Sequence, residues 1–81
     1  MNKKLVEIVA RLAVFLEFAE DSVVDQDAAV RELENLAFHL RQLSPSERQE
    51  FVQILDEVAQ AHPFEQERRY LMDLPKKLGV K

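Results

Sequence analysis

The chain has 81 residues, a net charge of −4 and 47% apolar content. A chain this short forms one domain, residues 1–81, and buries only about 60–65% of the surface its unfolded form exposes. It has no Cys, Thr or Trp and only one Gly, which excludes a disulfide framework and a thiolate metal site and disfavours β-structure. The expected fold is all-α: a small antiparallel helical bundle of three long helices, a short fourth helix and an extended C-terminal tail.

The N-terminal stretch is not read as a secretory signal, because Glu7 and Arg11 interrupt its apolar run. No apolar stretch is long enough to span a bilayer, so a soluble, cytoplasmic protein is expected. Periodicity predicts a first helix over about residues 3–20, with Leu5, Ile8, Val9, Leu12, Leu16 and Ala19 as its buried stripe. Glu7 and Arg11 mark the opposite side, and Val14 and Phe18 fall on that same polar stripe at about 100° per residue. The second half of this helix is thus apolar nearly all round and needs cover on several sides, from the chain or from another molecule.

Residues 21–26 read as a loop, with Asp25 as N-cap of a second helix that ends near Leu43. Ala29, Val30, Leu33, Leu36, Ala37, Leu40 and Leu43 share one face of that helix, and Arg31, Glu34, Asn35, Gln42 and also Phe38 share the other. Ser44-Pro45-Ser46-Glu47 has the form of a capping box with Pro at the first helical position. It opens a third helix to about Ala61, whose inner face carries Phe51, Val52, Ile54, Leu55, Val58 and Ala59. The short link predicts a helical hairpin between the second and third helices. After Pro63 a short fourth helix, residues 64–73, turns Phe64, Leu71 and Met72 inward. Leu74-Pro75 then ends it, because the residue before Pro disfavours the α region. Leu78 plugs the core from an extended tail. The expected core is Leu12, Leu16, Leu33, Leu36, Leu40, Phe51, Leu55 and Val58.

Few residues are suited to catalysis. His39 and His62 lack metal-ligand partners at helical spacing. The Asp residues near the first loop lack the Gly and the spacing of a calcium loop. No hydroxyl has a His neighbour in sequence, and with Gly79 the sole glycine there is no phosphate-cradling loop. We expect no enzyme activity, no cofactor and no metal.

Charge is unevenly placed. Residues 17–34 hold Glu17, Glu20, Asp21, Asp25, Asp27, Glu32 and Glu34 against Arg31 alone, a local net of −6. Such a focus argues against nucleic acid and for a protein partner with a basic surface. Phe18 and Phe38 stand on otherwise polar stripes in or beside this region, the make-up of an aromatic anchor in a charged rim. The expected partner-binding residues are Glu17, Phe18, Asp21, Arg31, Glu34, Asn35 and Phe38. A homodimer formed through the Val14/Phe18 face is the alternative.

In length, lack of Cys and an acidic loop-plus-helix between two amphipathic helices, the chain resembles the small acidic immunity proteins that bacteria pair with secreted toxins. The resemblance implies a cytoplasmic module that binds and neutralises a cognate toxin domain. The acidic tyrosine motif of the nuclease-colicin immunity proteins has no counterpart here: Tyr70 stands in RRYLMDL. No site residue therefore transfers from that family.

Overall fold

The computed structural model describes residues 1–81. Four helices account for three quarters of it: α1 (Lys3–Phe18), α2 (Gln26–Leu40), α3 (Pro45–Ala61) and α4 (Glu65–Lys77). Three starts are set by short polar side chains that take up otherwise unpaired N–H groups. The Leu5 N–H donates to Asn2 at 3.1 Å, and the Ala28 N–H donates to Asp25 at 3.0 Å. At Ser44 the capping box is complete: the Glu47 N–H donates to Ser44 Oγ at 3.2 Å, and the Ser44 N–H donates to Glu47 Oε1 at 3.0 Å. These hydrogen bonds lower the pKa of Glu47 below its ordinary value, the backbone bond from Ser44 being the larger cause.

α1, α3 and α4 pack mutually around the core, and α2 lies against α1. Val6, Ala10 and Ala13 of α1, Phe51, Leu55 and Ala59 of α3, and Tyr70, Leu71 and Leu74 of α4 form its centre. α2 adds Ala37, with Leu33, Leu36 and Leu40 partly buried beside it. The short link between α2 and α3 does not make the predicted hairpin, because the two helices do not pack along each other. The buried face of α3 is taken up by α1 and α4, and α2 lies instead along the flank of α1 and beside the end of α4.

Half of the expected stripe of α1 is on the outside, while Val9, Leu16 and Ala19 are half-buried. Leu5, Ile8 and Leu12 are 60%, 44% and 57% exposed, and Phe15 beside them 49%. The buried face is Val6, Ala10 and Ala13. The physical reason is size: Ala10 and Ala13 let the backbones of neighbouring helices come close, which the larger stripe would hold apart. Met72 and Phe64, expected inside, are exposed as well. Leu55 and Phe51 are core as expected, while Leu12 is not.

α4 is neither as short as predicted nor followed by an extended tail from residue 76. It continues through Pro75 to Lys77, and Leu78 and Val80 are buried beyond it. A proline inside a helix loses a hydrogen bond and costs about 3 kcal/mol. Here the loss falls in the last turn and is offset by burial of Leu74, Pro75, Leu78 and Val80. The end is a Schellman motif: the Val80 N–H donates to the Pro75 carbonyl at 3.0 Å and the Gly79 N–H to that of Lys76 at 3.1 Å. Gly79 takes φ +74°, which only glycine adopts without strain. Arg41 Nη1 donates to the Leu78 carbonyl at 3.0 Å, tying the end of α2 to the chain terminus.

Candidate protein-binding surface

α1 delivers Glu17 and Phe18 at its last turn, just before the loop. The loop itself is closed by hydrogen bonds from the Val23 and Val24 N–H groups to the Glu20 carbonyl, at 2.8 and 3.0 Å. It presents Asp21 to solvent and turns the chain into the Asp25 cap of α2. All seven expected binding residues are exposed.

Their surroundings differ. Glu17 and Glu34 come together on the rim of one groove of about 430 Å³ between α1, α2 and α4, with Arg41 and Lys77 on the same rim. Tyr70 lines this groove. Its ring lies edge-on to Phe18 with centroids 5.6 Å apart, and Lys77 Nζ sits 5.1 Å from the ring centroid. Burial, and secondarily the charge of Glu17, push the Tyr70 hydroxyl up to about 12. Phe18 is 37% exposed and helps join α1 to α4. Phe38 is 54% exposed and projects from the outer face of α2, in contact with His39 at 5.4 Å between centroids. Arg31, Glu34 and Asn35 precede it by seven, four and three residues on that helix, spacings that put them around its ring. Phe18 packs on Tyr70 while Phe38 packs on His39, so each aromatic has its own neighbour.

The acidic residues from Glu17 to Glu34 form no ion pair within the chain. The five ion pairs join the amino terminus, Lys3, Lys4, Arg11 and Arg69 to Glu7, Glu50, Glu57 and Glu65, and His62 contacts Glu67. None involves Glu17, Glu20, Asp21, Asp25, Asp27, Glu32 or Glu34, and all seven are exposed. His62 serves the corner between α3 and α4: its Nε2 lies 2.6 Å from Glu67, and its carbonyl accepts from Arg68 Nε at 3.2 Å.

Sequence reasoning missed Arg41, Tyr70 and Lys77 as groove residues, since they reach Glu17 and Glu34 only through the tertiary fold. It also assigned Leu5, Ile8 and Leu12 to the core. The 3-4-3 spacing of Leu5, Ile8, Leu12 and Phe15 was the available signal, being that of a helix-pairing seam. No protein-family model, curated protein or solved structure matches the chain.

Proposed function

We propose that this chain is a non-enzymatic protein-binding module of the immunity type, which captures a partner with a basic surface, such as a toxin domain, and blocks it. The observation that carries this reading is the set of seven exposed carboxylates free of internal ion pairs, beside the exposed ring of Phe38. A net negative field steers a basic partner, and an aromatic within a polar rim holds it once docked.

The test is the binding kinetics of variants against the protein encoded by the adjacent reading frame, by surface plasmon resonance at several salt concentrations. Glu17→Lys, Asp21→Lys and Glu34→Lys should slow association and flatten its salt dependence. Phe38→Ala should speed dissociation by a factor of about 30 or more, equivalent to about 2 kcal/mol. No binding, or association rates indifferent to charge reversal, would remove the basis of the proposal.

A further inference from the structure

We infer that a second copy of this chain seats on the outer face of α1, pairing the two α1 helices antiparallel about a two-fold axis at the level of Ala10. The surface is distinct from the acidic one. It is the stripe Leu5, Ile8, Leu12 and Phe15, each 44–60% exposed and lying opposite the buried Val6, Ala10 and Ala13.

Three features select another α1 as the occupant. First, the 3-4-3 spacing is the seam by which one helix interlocks with another. A two-fold interface must also be self-complementary, and this stripe is. With the axis level with Ala10, Leu5 meets the other copy's Phe15 and Ile8 meets its Leu12, so both ends of the seam are filled.

Second, charge sets the direction. At one end of α1 the amino terminus, Lys3 and Lys4 are paired with Glu50, Glu57 and Glu7, and at the other Glu20 and Asp21 stand outside any internal ion pair. Antiparallel pairing keeps the two unpaired acidic ends apart, whereas parallel pairing would stack the acidic region on itself. The like-charge approach of Lys4 and Arg11 on this flank near the axis is moderated by Glu7. Its carboxylate lies 3.6 Å from Arg11 and 3.5 Å from Lys4 on the same helix.

Third, the area is sufficient. The four exposures amount to roughly two whole side chains, on the order of 350 Å² of apolar surface per copy. With the polar rim that accompanies about 65% apolar content in homodimers, the total buried by two copies is about 1,100 Å². That clears the ~1,000 Å² needed for a specific contact and lies near the lower limit of the stable range, so the dimer should dissociate at micromolar concentrations.

Sedimentation equilibrium of the full chain tests this. The mass should rise from 9.4 kDa toward twice that value with concentration. Leu12→Asp should hold it at the monomer value with an unchanged helical circular dichroism spectrum, since Leu12 is exposed, and Phe38→Ala should leave dimerisation intact. The chain has no cysteine, so orientation can be read by crosslinking a mixture of Leu5→Cys and Phe15→Cys chains. Antiparallel pairing gives the mixed disulfide in excess. A monomer at every concentration, a dimer insensitive to Leu12→Asp, or crosslinks of like with like would each overturn the inference. So would a monomer that binds vesicles of anionic phospholipid through the same stripe.

Discussion

Tyr70 offers a direct test of the tertiary structure, because it is the only tyrosine and there is no tryptophan. Its ring is buried between Phe18 and Lys77, with Glu17 on the rim of the same groove. Burial disfavours the phenolate, and the Glu17 carboxylate disfavours it further, so the hydroxyl is pushed from its ordinary 10 up to about 12. In the unfolded chain it returns to the ordinary value. Between the two pKa values the native state holds a proton that the unfolded chain has released. The contribution to stability is therefore fully present below pH 10 and lost as pH rises toward 12. Two pKa units correspond to about 2.7 kcal/mol, and solvent at the mouth of the groove reduces this to about 1–2 kcal/mol. Tyrosinate absorbance in the native protein should reach its midpoint well above that of the urea-unfolded chain. Urea titrations should show the native protein losing this increment on the alkaline side relative to Tyr70→Phe, which keeps the ring against Phe18. The comparison with Tyr70→Phe cancels the titration of the lysines in the same range. Equal absorbance midpoints in native and unfolded protein would refute the buried placement.

Leu55→Ala should cost about 3–5 kcal/mol in urea titrations, because Leu55 is fully buried. Leu12→Ala should cost under about 1 kcal/mol at concentrations where the chain is monomeric; equal losses would mean that α1 presents its other face to the core. Ser44→Ala should cost about 1 kcal/mol by removing the cap of α3. The Glu47 contribution to that box is present above its ordinary pKa of 4.5 and is lost as pH falls through the lowered folded value. The acid limb of the stability curve should therefore soften in Glu47→Gln, which removes the titrating group, more than in Ser44→Ala, which keeps the backbone N–H that is the larger cause; an unchanged limb in Glu47→Gln would place the start of α3 elsewhere.

Much of the candidate surface was legible in the chain. Phe38 falls among Arg31, Glu34, Asn35 and Gln42 on the helical wheel, and it is exposed. The acidic residues from Glu17 to Glu34 have only Arg31 near them in sequence, and they carry no internal ion pair. The pairing of Phe18 with Tyr70 was not legible, since it depends on how α4 docks against the end of α1.

The sequence by itself determined the all-α class and two of the helix starts, Asp25 and Ser44, because a cap is a hydrogen bond between residues three apart. Tertiary structure decided which face of α1 goes inside. A 3.6-residue period fits Leu5, Ile8 and Leu12 as well as it fits Val6, Ala10 and Ala13. Only the close approach of α3 and α4 selects the face with the small residues. Tertiary structure also decided that α4 runs through Pro75, where burial of Leu74, Leu78 and Val80 outweighs a local preference to stop. Local signals specify where helices begin; which of two apolar faces is buried depends on the surfaces other segments bring to it.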